Sequence, residues 1–236
     1  MRLDVENLAA GYIKGSRVLD GVSLCVEHGE AVALLGRNGM GKSTLLRTIV
    51  GHLRPVSGSI RLGNGEIGAL PPYRIARAGI GYVPQGREIF ADFTVDENLR
   101  MGVLGKRGLG RDVPGWAYDL FPILGERRQQ LAGTMSGGQQ QQLAIMRALV
   151  GMPDLLLLDE PSEGIQPSIV HDIGTVLKRY AEERHLTILL VEQNLDLVNI
   201  LASRALFMEN GQIAETLSDM GRLASDDTLI HRYLSV

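Results

Sequence analysis

A glycine-rich segment between an apolar run and a helical pattern constrains this chain most strongly. Residues 36–43 read GRNGMGKS, after the apolar run at residues 31–35 and before a helix predicted over residues 44–50. Glycines let the backbone curl so that successive N–H groups point inward at phosphate oxygens. Lys42 then reaches the terminal phosphates, and the Ser43 hydroxyl can ligand Mg²⁺. A plain glycine-rich turn is the alternative, but strand, helix and Lys-Ser register together predict a nucleotide site, for ATP.

An acidic pair follows a second apolar run further along the chain. Residues 155–158 are four leucines, which suit a parallel strand buried on both faces, and Asp159 and Glu160 come next. Ligands of open α/β sheets bind at the carboxyl ends of the strands. Asp159 is therefore placed to hold Mg²⁺, and Glu160 to orient or deprotonate an attacking water. Such a pair alone usually marks only a loop, but the phosphate loop in the same chain favours the catalytic interpretation.

A third motif places two glycines, which have no side chain, directly before a predicted helix. Residues 134–142 read TMSGGQQQQ, and apolar residues then recur at helical spacing, which predicts a helix over residues 139–150. Ser136, Gly137 and Gly138 precede that helix, so its N-terminus is predicted to be a second anion site. Taken alone, the segment would be a serine N-cap on an ordinary helix.

The three motifs, in this order, resemble those of the ATP-binding subunit of ABC transporters, and the resemblance covers essentially all 236 residues. It implies an α/β fold with a P-loop NTPase core and a mostly parallel sheet. An N-terminal antiparallel β-layer and a helical subdomain, inserted at residues 90–150 or so, would complete a single ABC ATPase domain over residues 1–236. The implied cofactors are ATP and Mg²⁺.

The resemblance also implies roles for individual residues. Those implied to bind the nucleotide are Tyr12, Gly36, Arg37, Asn38, Gly39, Met40, Gly41, Lys42, Ser43, Thr44, Gln85, Ser136, Gly137, Gly138 and Gln139. Those implied to hold the metal are Ser43, Gln85 and Asp159, and those implied in catalysis are Lys42, Glu160 and Gln193. Tyr12 would stack on adenine, with a packed core tyrosine as the alternative. Gln85 would contact Mg²⁺ and link the core to the helical subdomain.

Two single positions and one five-residue segment depart from the family pattern. Met135 replaces a common leucine, and residues 162–166 differ from the usual wording of the D-loop. Gln193 stands where the family usually has a histidine. Its amide can donate a hydrogen bond to a γ-phosphate, but it is neutral at every pH and cannot donate a proton in catalysis. Gln193 is then a neutral sensor, or the site depends on a partner that supplies a histidine, or the residue merely ends a strand.

The amino-acid sequences of three segments resemble those of the ATPase subunits of one group of ABC importers. These segments are VPQGREIFADFTVDENL at residues 83–99, EPSEGIQPS at residues 160–168 and VEQN at residues 191–194. They resemble the ATPase subunits of importers for branched-chain amino acids, and more closely those for urea and short amides. In that group two different ATPases pair, one with the histidine and one with glutamine, and this chain resembles the glutamine partner.

The implied partners are therefore a second ATPase subunit, two transmembrane permease subunits and, indirectly, a solute-binding protein. Pairing of two copies of this chain is the alternative to a mixed pair. The implied location is the cytoplasmic face of the inner or plasma membrane, reached through the permeases. No apolar run approaches the ~18 residues that a membrane span requires.

Composition and local signals bound the remaining possibilities. A net charge of −3 gives no basic field, so no nucleic-acid partner is predicted. Thr94 and Glu97 have the spacing of a capping box, Asn210-Gly211 predicts a hairpin turn, and residues 220–234 predict a short helix. The alternatives to an importer ATPase are an ATPase acting on ribosomes or DNA, a related exporter cassette, and a regulatory cassette. The last should lack Lys42 or Glu160, and both are present.

Overall fold

The computed structural model describes residues 1–13, 15–104, 110, 112–223 and 232–233 and contains two β-sheets. The strands are β1 (Leu3–Ala10), β2 (Leu19–Val26), β3 (Ala31–Leu35), β4 (Ser57–Leu62), β5 (Gly65–Glu66), β6 (Ile80–Val83), β7 (Leu155–Asp159), β8 (Thr187–Val191), β9 (Arg204–Glu209) and β10 (Gln212–Leu217). The α-helices are α1 (Lys42–Ile49), α2 (Pro72–Arg77), α3 (Val95–Leu104), α4 (Trp116–Leu120), α5 (Pro122–Glu126), α6 (Gly137–Leu149), α7 (Pro167–Arg184) and α8 (Leu195–Leu201).

The larger sheet is mostly parallel, as predicted. Its order is β10-β9-β3-β8-β7-β6, and only the pairing of β10 with β9 is antiparallel. Every residue of β7 and β8 is buried, which is typical of parallel strands covered on both faces. In register, Val191 lies opposite both Leu34 and Asp159. The carboxyl ends of β3, β7 and β8 therefore meet at one edge of the sheet.

The smaller sheet is the predicted N-terminal antiparallel layer. Its order is β2-β1-β4-β5, and β1 pairs antiparallel with both β2 and β4. Buried residues of β1 share one apolar cluster with Leu45, Leu46 and Ile49 of α1 and with alternate residues of β7. This layer therefore packs over α1 and fixes the helix against the larger sheet.

Residues between β6 and β7 form the helical part, with helices α3 to α6. Its start is set by Thr94 and Glu97, which form the predicted capping box: Glu97 N donates to Thr94 Oγ1 at 3.2 Å and Thr94 N to Glu97 Oε2 at 2.8 Å. The apolar faces of α3 and α6 pack in a second cluster that also contains residues of β3, β7 and β8. The helical part is thus continuous with the core of the larger sheet.

Two helices begin earlier than the sequence pattern predicts. The helix predicted from residue 44 begins at Lys42, and the helix predicted from residue 139 begins at Gly137. At the second helix, Ser136 and Gln139 form a capping box, so the two glycines lie in the first turn. Both predictions were late because they rested on apolar side chains, whereas the first turns contain Lys42 and Ser43 in one helix and two glycines in the other. Of the helix predicted over residues 220–234, the structure describes a 3₁₀ turn at Met220–Arg222 and helical residues 232–233; the rest lies outside the described residues.

Asp96 joins three parts of the helical region. Its carboxylate accepts hydrogen bonds from Tyr118 at 2.6 Å and Arg128 at 3.0 Å, and it pairs with Arg100 at 2.9 Å. Burial alone would raise the pKa of Asp96, but these donors lower it below the ordinary aspartate value. The ionised carboxylate therefore contributes to the stability of this region.

We expect Asp96→Asn to lower the free energy of unfolding by about 1–3 kcal/mol at neutral pH, because charge-assisted hydrogen bonds are lost. Since the pKa of Asp96 is lowered by folding, its stabilising contribution is present above the ordinary aspartate pKa of about 4 and is lost as pH falls through the folded value. Urea denaturation at neutral and acidic pH measures both effects. The exposed Asp119→Asn is the matched control, and an equal effect of the two substitutions would contradict the prediction.

Candidate nucleotide-binding site

The glycine-rich loop lies between β3 and α1, at the edge where the parallel strands end. Gly41 has a φ of 106°, in the left-handed region that favours glycine, and it is the N-cap of α1 without a side-chain cap. First-turn N–H groups of a helix have no acceptor within the helix, so those of α1 are available to an anion. The hairpin turn after β9 supports the loop, because Gly211 N donates to Met40 O at 3.1 Å.

Lys42 is held inside the loop. Its side chain is buried, and Nζ donates to Gly36 O at 2.6 Å and to Arg37 O at 2.9 Å. Burial lowers the pKa of Lys42, while the negative charges of Glu160 and Asp159 oppose that shift. The ammonium group is thus positioned where phosphate oxygens would replace the two backbone carbonyls.

Ser43 and Asp159 form a pair of hard oxygen ligands. Ser43 Oγ donates to Asp159 Oδ1 at 3.0 Å, and Tyr82 OH donates to Oδ2 at 3.4 Å. Asp159 is 1% exposed, and burial raises its pKa; the charge of Glu160 acts in the same direction, while the Ser43 hydrogen bond opposes it. Two neutral hydroxyls compensate a buried carboxylate only partly. A hydroxyl and a carboxylate oxygen are ligands that Mg²⁺ prefers, so the residues fit a magnesium site.

Two glutamine amides flank Glu160. Gln193 Nε2 donates to Glu160 Oε1 at 3.2 Å, and Gln85 Nε2 donates to Oε2 at 3.2 Å. Gln193 Nε2 also donates to Asn38 Oδ1 at 2.6 Å, so it reaches the glycine-rich loop. Glu160 has a φ of 48°, and its N–H donates to Val191 O at 2.9 Å, which ties it to the end of β8. Gln193 therefore does more than end a strand, since it joins the loop to the predicted catalytic carboxylate.

Tyr12 lies beside the first turn of α1. The residue is 56% exposed, and its hydroxyl shares a hydrogen bond with Thr44 Oγ1 at 3.3 Å. It is therefore not a packed core tyrosine, and a ring face remains accessible near the glycine-rich loop.

A cavity of about 480 Å³ lies over the glycine-rich loop. Its lining comprises Val18, Asn38, Gly39, Gly41, Lys42, Ser43, Thr44, Gln85, Glu160 and Glu163. The loop, Gln85 and Glu160 are thus brought together around one cavity. Among the described residues that line it, none comes from the Ser136–Gln139 motif.

That motif lies at the start of α6 and packs on other elements. A Cβ on Gly138 would lie 2.6 Å from Ile169 Cδ1, so this glycine allows α6 to approach α7 closely. Arg87 donates to Gln140 Oε1 at 3.3 Å and to Glu163 O at 3.3 Å, which joins the segment after Gln85 to both α6 and the loop before α7.

Sequence reasoning missed Tyr82, Arg87, Glu163 and Glu192 as residues of this region. Arg87 lies in the segment at residues 83–99 and Glu163 in the segment at residues 160–168, both of which resemble importer ATPases. Glu192 directly precedes Gln193. In the sequence, the only signal at Glu192 is that an acidic residue directly follows the apolar run at residues 188–191. No sequence signal distinguishes Tyr82 from a packed aromatic residue.

Comparisons with known proteins identify the family of this chain. The chain matches the family described as ABC transporter over residues 19–163. It is 46% identical over 208 residues to the high-affinity branched-chain amino acid transport ATP-binding protein BraG of Pseudomonas aeruginosa, covering 86% of this chain and 87% of that protein. It is 37% identical over 214 residues to the probable branched-chain amino acid transport ATP-binding protein LivF of Archaeoglobus fulgidus, covering 90% of each. It is 35% identical over 216 residues to the lipopolysaccharide export system ATP-binding protein LptB of Escherichia coli, covering 89% and 88%.

Solved structures show the same fold. A nucleotide-free ATP-binding cassette from an ABC transporter superposes with a TM-score of 0.84 at 28% identity, over 100% of both chains. The ADP conformation of another ABC transporter cassette superposes with a TM-score of 0.80 at 29% identity, over 98% of both.

The fold and the site define a P-loop NTPase in which the nucleotide site lies at the ends of parallel strands. The chain belongs to the ABC transporter family, as the sequence predicted. It is an ATP-binding subunit of that family, and its reaction is the hydrolysis of ATP. Within the residues that the structure describes, no helix combines the length and apolar character needed to cross a membrane.

We expect Lys42→Ala to weaken the binding of ATP by about tenfold to a hundredfold. A charge-assisted hydrogen bond contributes about 1.5–3 kcal/mol, and the ammonium group is the cation that the loop encloses. Calorimetric titration with ATP measures the loss, and the exposed Lys178→Ala is the control for removal of a positive charge. Unchanged binding by the Lys42 variant would show that the loop does not hold the phosphates in this way.

Proposed function

We propose that this chain powers a multi-subunit importer of small polar solutes, either branched-chain amino acids or urea and short amides, from the cytoplasmic face of the membrane. The observation that carries the proposal is the 46% identity, over 86% of the chain, to a branched-chain amino acid transport protein. The identity to the lipopolysaccharide export protein is lower, at 35% over 89% of the chain. An exporter cassette is therefore the second candidate.

The hydrolytic step that we propose uses the groups around the cavity. Lys42 and the loop N–H groups bind the terminal phosphates of ATP, with Tyr12 against adenine. Ser43, Asp159 and Gln85 would hold Mg²⁺, which neutralises phosphate charge when bound. Glu160 orients the attacking water and accepts its proton. Gln193 donates an amide hydrogen bond to the γ-phosphate and carries no proton to it.

The hydrogen bonds of Glu160 indicate how ATP prepares this step. In the structure both of its carboxylate oxygens accept from glutamine amides. A γ-phosphate offers the Gln193 amide N–H a stronger, charged acceptor, and a bound metal would take the Gln85 amide oxygen as a ligand. Movement of Gln193 and Gln85 onto them frees Glu160 to bind water. The glutamine at position 193 thus withdraws from the catalytic carboxylate when the substrate is in place.

We infer that a second ATPase subunit completes the site. The Ser136–Gln139 motif is separate from the cavity of its own chain, while the N-terminus of α6 suits an anion. The motif would therefore cap ATP that is bound to a partner subunit, so that two nucleotides lie between two subunits. Because Gln193 is neutral, we propose a mixed pair in which the other ATPase carries the histidine.

The helical part offers a surface for the permeases. A groove of about 460 Å³ runs between the β6 edge of the larger sheet and the helical part; Tyr82, Phe90, Met101 and Arg147 are among its lining residues. Phe90 is 43% exposed and Met101 42% exposed. Arg147 Nη1 is buried without a hydrogen-bond acceptor among the described residues. A permease segment with apolar side chains and a free backbone carbonyl fits this groove. The helical part belongs to the same ABC ATPase domain as the nucleotide site, so it would transmit closure of the ATPase pair to the permease.

The test is recovery of the assembled transporter from its own cell. In Glu160→Gln the amide cannot accept a proton from water, so ATP should bind and hold the closed pair. We expect the tagged variant, solubilised with ATP, to co-purify with two hydrophobic subunits and a second ATPase, and to elute as a larger species than without ATP. The exposed Glu183→Gln should not show the ATP-dependent shift. Recovery of ribosomal proteins, or of the chain alone, would overturn the transport proposal.

We expect Gln193→His to be tolerated or to raise the rate of ATP hydrolysis. A histidine keeps a donor toward the γ-phosphate and adds the capacity to carry a proton. Steady-state hydrolysis by the assembled transporter, compared with the wild type, measures the effect. Complete loss of activity would mean that the amide has a specific role that an imidazole cannot replace.

A further inference from the structure

Glu192 is a buried carboxylate for which the hydrolytic step above has no role. It directly follows β8 and is 2% exposed. Its Oε1 accepts a hydrogen bond from Ser162 N at 3.0 Å. Its Oε2 accepts from Gln193 N at 2.7 Å and from Asn194 N at 3.3 Å. One side chain thus binds the backbone of two loops that lie far apart in the sequence.

Burial of the Glu192 carboxylate requires these three hydrogen bonds. A buried carboxylate is costly unless hydrogen bonds replace its hydration, and three backbone N–H groups provide that replacement. Only the ionised carboxylate offers acceptor sites on both oxygens, whereas a glutamine amide has one acceptor oxygen and an NH₂ group that cannot accept. Glu192 can therefore hold both loops, while a neutral isosteric residue can hold one.

Both loops carry residues of the hydrolytic site. One loop begins at Glu160 and runs through Ser162 to the start of α7, and the other begins at Glu192 and contains Gln193. They are also joined where Glu160 N donates to Val191 O at 2.9 Å. With the bond from Ser162 N to Glu192, the two segments are connected on both sides of Pro161.

The same contacts reach the helices that follow. Asn194 caps α8, since its side-chain oxygen accepts from the N–H groups of Asp196 and Leu197 at 3.0 and 3.1 Å. Since α7 packs against α8, a displacement of either loop is shared with both helix starts. Glu192 lies at the point where these connections meet.

We propose that Glu192 is a positioning residue for ATP hydrolysis, which holds the Ser162 loop and the Gln193 loop as one unit beside Glu160. Any movement of Gln193 that follows loss of the γ-phosphate is thereby passed to residues 162–166. The inference rests on the roles proposed above for Glu160 and Gln193. It adds that their relative position depends on a third carboxylate that touches neither nucleotide nor water.

The first test is Glu192→Gln in the full chain. The substitution keeps the size of the side chain and removes its charge. We expect kcat for ATP hydrolysis to fall about tenfold or more, because one loop loses its acceptor. Binding of ATP with the metal chelated should not weaken, because the hydrogen bonds of Glu192 do not reach Lys42 or its loop, and loss of its negative charge, which acts on Lys42, does not disfavour a phosphate anion. Glu183→Gln, an exposed position on α7, is the control that removes the same charge.

Glu192→Asp and a double variant separate positioning from general stability. The aspartate keeps an ionised carboxylate, so it should recover part of the kcat lost in Glu192→Gln, and it serves as the test if the glutamine variant does not fold. Combined with Gln193→Ala, the loss from Glu192→Gln should be smaller than in the wild-type background, because one residue acts through the other. A lowered unfolding temperature with an unchanged kcat, or fully multiplicative losses, would overturn the proposal.

Glu160→Gln distinguishes failure of this inference from failure of the proposed site. If Glu160→Gln abolishes hydrolysis and Glu192→Gln leaves kcat unchanged, only the positioning role is wrong. If Glu160→Gln hydrolyses ATP at the wild-type rate, the proposed hydrolytic site itself is wrong and the positioning role falls with it.

Discussion

The parallel pairing of β3, β7 and β8 is the constraint on which the site depends. Val191 lies opposite both Leu34 and Asp159, so the residues that follow the three strands converge at one edge of the sheet. Ser43 and Asp159 are separated by 116 positions, and Gln193 and Asn38 by 155, yet each pair is within hydrogen-bond distance. A shift of one residue in this register would turn alternate side chains to the opposite face and separate these groups. Burial of the leucine-rich strands on both faces therefore sets the chemistry as well as the stability.

The parts of the site that the sequence predicts are those with a local pattern. The glycine-rich loop and the acidic pair each follow an apolar run, and the predicted capping box joins Thr94 and Glu97, three positions apart. Tyr12 remained ambiguous in the sequence, because one aromatic residue beside a strand suits a core or a binding surface. Its exposure excludes a packed core tyrosine, and contact with adenine stays a prediction. A pattern within one segment predicts an element and its end, but not which element lies beside it.

The hydrogen bonds between segments were beyond prediction for that reason. The sequence predicts Gln85, Glu160 and Gln193 as separate motifs, whereas their mutual contacts depend on strand order and on the turn at Glu160, where φ is 48°. Glu192 shows the same limit. As an isolated acidic residue it predicts only a strand end, and its role depends on Ser162 N, thirty positions earlier in the chain. Register and loop conformation are properties of the folded sheet, and residue spacing alone does not contain them.

The two bonds from Lys42 to the carbonyls of Gly36 and Arg37 have a kinetic consequence. The two carbonyls stand in for phosphate oxygens, because they accept hydrogen bonds from the ammonium group before any phosphate arrives. The loop is therefore preorganised, and the conformational entropy of its ordering is lost during folding rather than at the encounter with ATP. In the proposed function, capture of the nucleotide exchanges these acceptors at the Lys42 ammonium group, so it does not wait for the loop to fold.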